Sequence, residues 1–300
     1  MVLKVLAPKT VLYGTKITPS LVKDIIGSLP SEAGNLDELV ENWSNESSLS
    51  SNVRWSPEIK HHGRYPSVSL VLGCTQSQRQ LYFWQLRMIK QQGGVAAFRK
   101  YMNTRLTHGK NLHHCVNSIL LDIRKNGTLT LSDDEIIKDL PQPVAGYVHS
   151  VLPFLRTLKG DRTMKMETAV CHHKLGYAGR FDALVPYRDS LHLIDWKSST
   201  PGSSKQQCSD ISSLYNDPIQ VAAYIGALNS DPVFHDYPAV KLGSIVVANE
   251  DGSDCTVFDM DERTVEEYWR KWVICLSQFW TELEIRPVNR GVISFVENFD

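Results

Sequence analysis

Asp195-Trp196-Lys197 places an acid and a base two residues apart in a hydrophobic run that includes Leu193 and Ile194. In a β-strand such a pair leaves the same face, about 7 Å apart at Cα. Upstream, across twelve intervening residues, Gly179-Arg180-Phe181-Asp182 offers a second acid that an adjacent strand can bring beside the first. Two carboxylates hold a hard divalent cation through oxygen, and an ammonium steadies a hydroxide or the negative charge that develops on a phosphorane. That is a minimal constellation for metal-assisted hydrolysis of a phosphodiester. A DxK triplet by itself is more often a cross-strand ion pair, so it needs company.

Two further elements supply it. Asp217-Pro218 opens a helical pattern in which Gln220 and Tyr224, four residues apart, share one face while Val221 and Ile225 turn to the core. Gly109-Lys110-Asn111-Leu112-His113 puts an imidazole on a basic helix. A single histidine on a half-apolar helix is usually structural, and carboxylates around it are what would make it a ligand.

The net charge of -1 conceals an asymmetry. From Ile59 to Leu121 there is no Asp or Glu, while Lys60, Arg64, Arg79, Arg87, Lys90, Arg99, Lys100, Arg105 and Lys110 all fall there. A polyanion is the natural partner of such a segment, and a solvated helix face is the alternative. Tyr82, Phe83, Trp84, Phe98 and Tyr101 are interleaved with these charges, which suits base stacking and a buried helix face equally.

Several classes are disfavoured. No stretch approaches the roughly 18 consecutive apolar residues of a membrane span, so no membrane partner is expected. The six cysteines include no CxxC pair, which argues against a disulfide framework, a zinc ribbon or an iron-sulfur cluster and for a reducing compartment. No glycine-rich phosphate loop is present, so no nucleotide cofactor is expected.

The elements that must position these residues can be read in order. Residues 1–58 are punctuated by Pro and Gly and carry a Ser/Asn-rich run, and they read as an N-terminal extension. Lys4, Lys9, Lys16 and Lys23 precede the first acid, Asp24, as in organelle transit peptides, but without Arg the targeting signal is weak. Residues 59–300 read as one domain. Its basic segment, 59–121, predicts three helices, near 78–91, 95–104 and 106–121, forming an arch or channel wall before the catalytic strands. A helix near 144–158 comes next. From Met164 the period changes to two, with Met164, Met166, Thr168 and Val170 on one face, and strands near 179–185 and 191–196 complete an antiparallel meander. A helix at 218–228 leads to a hairpin, 243–248 with 255–260, which closes the catalytic sheet at 164–260. The last helix, 261–284, carries an apolar stripe of Val265, Trp269, Trp272, Leu276, Phe279 and Leu283 that reads as core.

Taken in order, these elements resemble the PD-(D/E)XK nuclease superfamily in its RecB-like branch, which reads as a GxxxH helix, a GxxD strand, a (D/E)xK strand and a QxxxY helix. Here they are Gly109 to His113, Gly179 to Asp182, Asp195 to Lys197 and Gln220 to Tyr224, four motifs in order over 116 residues. Within that branch the chain is most similar to members that act in mitochondrial DNA maintenance, over about 66–276. Pro66-Ser67-Val68-Ser69, Ser118-Ile119-Leu120, Asp195 to Ser199, Asn216 to Asn229, Ile245 to Ala248 and Asp251-Gly252-Ser253 carry that likeness.

The resemblance implies a restriction-endonuclease-like α/β core, a central mixed sheet flanked by helices. It implies one or two Mg²⁺ or Mn²⁺ ions held by His113, Asp182 and Asp195 with the backbone carbonyl of Trp196 as a further oxygen ligand, and Lys197 orienting the attacking water. Gln220 and Tyr224 would contact Lys197 or the substrate phosphate, and Glu167 is a secondary candidate, either a site residue or an ion-pair partner. The implied substrate is single-stranded DNA with a free end, in the mitochondrial matrix. Arg79, Trp84, Arg87, Lys90, Arg99, Lys100, Arg105 and Lys110 would guide it by phosphate contact and stacking. The family usually has Glu after the motif histidine, and here His114 stands there. Two alternatives stay open. A non-cleaving single-stranded DNA binding protein explains the basic helices but not Asp182, Asp195 and Lys197 together; a general repair or recombination nuclease of the same fold explains both.

Overall fold

A computed structural model describes residues 65–76, 78–200 and 210–285, leaving aside the side chains of 78–82 and 280–285. The expectations for residues 1–58, for Lys60 and Arg64, and for the side chains of Arg79, Tyr82 and Leu283 lie outside the described residues.

The predicted meander is present as β1 (Lys165–His172), β2 (Tyr177–Tyr187) and β3 (Ser190–Ser199), each antiparallel to the next. Arg188 and Asp189 join β2 to β3 with φ of 48° and 62°, the left-handed pair that a two-residue hairpin needs to match strand twist. β4 (Leu242–Asn249) lies parallel to β3, and β5 (Thr256–Met260) antiparallel to β4, in the order β1-β2-β3-β4-β5. The sheet is therefore mixed and flanked by helices, an α/β fold. Parallel neighbours cannot be joined by a tight turn. The crossover from β3 to β4 carries the helix α6 (Asp217–Ser230), the sixth in chain order because five helices precede the meander.

Those five are α1 (Val68–Thr75), α2 (Gln78–Gln91), α3 (Val95–Asn126), α4 (Asp133–Ile137) and α5 (Val144–Leu155), and α7 (Glu262–Ile285) ends the described chain. Side chains of α1, α6 and α7 bury one face of the sheet with Phe181, Leu193 and Ile245. The other face is covered by α3 and α5, packed on Ala183, Ile194, Trp196 and Val246. Strands covered on both sides read as continuous apolar runs, which is why Ile245-Val246-Val247-Ala248 shows no alternation. Among the described residues no helix is long and apolar enough to cross a membrane.

Two elements differ from expectation. The pair of helices predicted over 95–104 and 106–121 is a single helix of 32 residues. Its buried positions are Phe98 and then Leu112 onward, so the exposed middle carries no apolar period, yet nothing there breaks the backbone. It ends at Gly127, whose φ of 85° is the left-handed cap conformation. The acidic patch Asp133-Asp134-Glu135 is α4, closed by a capping box in which Ser132 Oγ accepts from the Glu135 N–H and the Glu135 carboxylate accepts from the Ser132 N–H.

Candidate active site

Asp195 and Lys197 leave β3 on the same face, as strand geometry requires, with Lys197 Nζ 2.5 Å from Asp195 Oδ2. The ammonium also lies 3.8 Å from Asp217 Oδ1 and donates to Gln220 Oε1 at 3.2 Å. Gln220 Nε2 in turn donates to the Tyr224 hydroxyl at 2.9 Å, one turn further along α6. Tyr224 is buried, so it acts on Lys197 through Gln220. A Cβ at Gly179 would lie 2.4 Å from the Tyr224 ring, so the glycine of the GxxD motif is what seats that ring against β2. Burial pulls Lys197 toward its neutral form, but Asp195, Asp217 and Asp182 outweigh it and hold the pKa above the ordinary lysine range. Lys197 thus contributes a fixed positive charge, not a base.

The β2–β3 ladder stops at Ala183–Ile194, and Asp182 occupies the opening beyond it. Its Oδ2 accepts the Trp196 N–H at 2.8 Å, and its Oδ1 lies 3.2 Å from His113 Nδ1 on α3. The N–H and C=O of an extended residue leave the same strand edge, so the Trp196 carbonyl also points to this opening. The Trp196 indole is buried among the residues under α5, which leaves only its main chain for the site. Burial lowers the His113 pKa, but the hydrogen bond and charge of Asp182, together with the charge of Asp195, raise it overall.

Glu167 stands opposite Asp182. The pairs Met166–Ala183 and Thr168–Phe181 flank it in unbroken register, yet Glu167 has φ 46°. At this rung both strands exchange faces. Met164 and Met166 pack on the α3/α5 side whereas Val170 packs on the other; in β2, Phe181 and Ala183 are likewise two apart and on opposite sides. The single face predicted for Met164, Met166, Thr168 and Val170 is therefore corrected, because a left-handed residue in the middle of β1 rotates the second half of the strand relative to the first. Burial, then the charge of Asp182, raises the Glu167 pKa. Donor atoms of His113, Glu167 and Asp182 all lie within 4.8 Å of one another, a set found among the described residues that includes Glu167 and leaves Asp195 outside.

These groups edge a cleft of about 700 Å³ between α3 and the end of the sheet. Arg105 and Lys110, two of the expected DNA contacts, line it, as does His114. Arg87, Lys90, Arg99 and Lys100 are exposed on α2 and early α3, outside the lining, and half-buried Trp84 meets Phe98 edge-on at 6.0 Å. The motifs did not single out Arg180, exposed in the cleft two residues before Asp182. They also passed over Asn117, four residues beyond His113, whose buried Oδ1 has no hydrogen-bond partner, and gave Asp217 only the part of a helix opener. The i, i+4 spacing from His113 was the available signal for Asn117.

Fold and site together define a helix-flanked mixed α/β sheet compatible with a PD-(D/E)XK nuclease core. The chain is similar to mitochondrial genome maintenance exonuclease 1 of Homo sapiens, 34% identical over 217 residues or 71% of this chain, and to that of Mus musculus, 33% identical over 217 residues. The Xenopus tropicalis protein of the same name is 32% identical over 221 residues, 73% of this chain. The matched region spans 58% of the length of each of these relatives. No family model matches the chain.

Proposed function

We propose that the chain is a metal-dependent exonuclease that hydrolyses single-stranded DNA from a free end and serves mitochondrial DNA maintenance. The observation that carries this reading is the convergence of Asp182, His113 and the Asp195–Lys197 pair at one opening in the sheet, at the base of a cleft lined by Arg105, Lys110 and Arg180. The names of the similar proteins support the exonuclease activity and the mitochondrial setting.

Imidazole nitrogen, carboxylate oxygens and a main-chain carbonyl fit Mg²⁺ or Mn²⁺. His113, Asp182, Asp195 and the Trp196 carbonyl would hold the ion, which when bound supplies Lewis acidity and a more acidic water. The protein's own contribution is charge and position. Lys197, kept protonated and fixed by Asp195, Asp217 and Gln220, presents an ammonium that orients the attacking water and offsets the charge growing on the phosphorane. Arg105, Lys110 and Arg180 bind flanking phosphates, and exposed Leu106 with Met102 offers an apolar wall to the bases.

End-labelled single strands, linear and circular, incubated with the full chain with and without Mg²⁺ test this. Linear strands should be shortened only with metal, and circular ones should resist. Rapid cutting of circles removes the requirement for an end, and metal-independent cutting removes the mechanism.

A further inference from the structure

We propose that Tyr215 is a stacking residue for the substrate strand, its ring lying on a nucleobase close to the scissile phosphate on the α6 side of Lys197. This rests on the single-stranded DNA reading above and assigns a base contact that neither the motifs nor the cleft lining includes.

Tyr215 has φ 59° and ψ −116°, and Asn216 after it has −91° and −4°. These are the two central positions of a type II′ turn, the first of which is normally glycine. A side chain there is strained, and such strain persists only where the surroundings fix the backbone. They do so on both sides. Leu214 is fully buried in the core, at the end of a short 3₁₀ turn (Ile211–Leu214) whose Ser212 N–H donates to Asp210 Oδ1. The Asn216 carbonyl accepts the Gln220 N–H, and Pro218 is buried in the first turn of α6.

The ring offsets little of that strain by packing. It is 58% exposed, and its hydroxyl approaches Gln76 Oε1 at 3.5 Å, the outer limit of a hydrogen bond. A strained, exposed tyrosine where glycine would fit without strain points to a role for the ring outside the fold.

Its position names that role. Tyr215 precedes Asp217 by two residues, within about 7 Å along the chain, and Asp217 Oδ1 is 3.8 Å from Lys197 Nζ. Gln76 caps the end of α1, two residues before Gln78 opens the basic helix α2. Tyr215 therefore stands beside the ammonium and at the foot of the basic segment. Arg105, Leu106 and Lys110 of the cleft all come from α3, which covers the other face of the sheet. A strand laid across the end of the sheet is thus held by α3 on one side, and the exposed ring supplies the contact on the other. An uncharged π-face suits a nucleobase of any sequence.

The test uses the full chain without divalent metal, so that strands bind uncut, as wild type, Y215G and Y215F. Fluorescence anisotropy reads Kd for labelled single strands carrying one abasic position, moved stepwise along the strand. In wild type one lesion position should weaken binding about tenfold, the loss of one stacked base. Y215G should bind the intact strand about tenfold more weakly, and that same lesion should then weaken binding no further. Y215F, which keeps the ring, should bind like wild type, and the salt slope should be the same in all three because no charge changes. In thermal melts Y215G, free to adopt the positive φ, should melt no lower than wild type. Lesion penalties that are equal in wild type and Y215G, or Y215G binding the intact strand like wild type, overturn the proposal. A Tyr215-dependent lesion pattern with no shortening of linear strands on adding Mg²⁺ leaves the stacking contact standing and removes the nuclease reading instead.

Discussion

The Tyr224 ring fills the space that a side chain at position 179 would need, so the backbone of β2 and the hydroxyl that fixes Gln220 are packed as one unit. Gly179→Ala should therefore cost about 1–3 kcal/mol as overpacking. By moving Tyr224 it should also loosen Lys197 and lower kcat with little change in KM. Tyr224→Phe, which keeps the ring and removes only the acceptor for Gln220, should melt close to wild type and lose less rate. Thermal melts with single-turnover cleavage separate the two, and a Gly179→Ala protein with wild-type kcat would show that the ring does not position Lys197.

Lys197→Ala should abolish hydrolysis while leaving DNA binding nearly intact, since the cleft cations remain. It also strands buried Asp195 without its partner, at a cost of about 3–5 kcal/mol. Removing both, in Asp195→Asn/Lys197→Ala, should recover much of the stability and none of the activity. Cleavage at the wild-type rate by the single variant would rule out the assignment of Lys197.

Binding should fall steeply with salt, by about 0.7 in log–log slope per phosphate contact on a single strand. Arg180→Gln should lower the slope by about 0.7, and Arg105→Gln/Lys110→Gln by about 1.4. None of these touches the metal ligands. Fluorescence anisotropy across a salt series measures each slope, and unchanged slopes would make the cleft side chains a solvated face. The same series on Arg87→Gln/Lys90→Gln tells whether the strand also passes over α2.

Two helix glycines should respond in opposite directions. A methyl at Gly109 would meet only Ser198 Oγ at 3.8 Å, an ordinary contact, so Gly109→Ala should stabilise α3 by about 0.5–1 kcal/mol. At Gly226 the methyl would lie 2.0 Å from the Trp269 ring, and Gly226→Ala should destabilise by about 1–3 kcal/mol or more. Chemical denaturation of both variants is the check.

Far from the cleft, His192 is buried with Nδ1 3.0 Å from Ser244 Oγ, whose hydroxyl donates to Asp259 at 2.8 Å. Burial lowers its pKa below the ordinary histidine range. The unfolded chain then takes the proton more readily than the folded one, so this contribution to stability is complete above about pH 6.5 and declines as pH falls toward the folded value. His192→Asn should flatten that part of the stability–pH curve, as measured by urea denaturation at several pH values.

The sequence by itself placed the local elements. Strand alternation put Asp195 and Lys197 on one face, the i, i+4 rule put Gln220 beside Tyr224, and the order of four short motifs indicated an α/β sheet flanked by helices. Those patterns survive because they depend on backbone periods that any folded context keeps. The reach of α3 was not legible, since its exposed middle buries nothing and so leaves no period to read. Nor was the exchange of faces at Glu167 and Asp182, because a left-handed φ at a glutamate has no sequence signature. Only the tertiary structure brought β1 beside β2 in the register that opposes those two carboxylates, and laid α3 across the open end of the ladder so that His113 reaches Asp182. Contacts between residues 54 and 69 positions apart, Glu167 and Asp182 with His113, depend on how whole elements pack, and packing is decided by shape and burial summed over the chain, not by any local spacing.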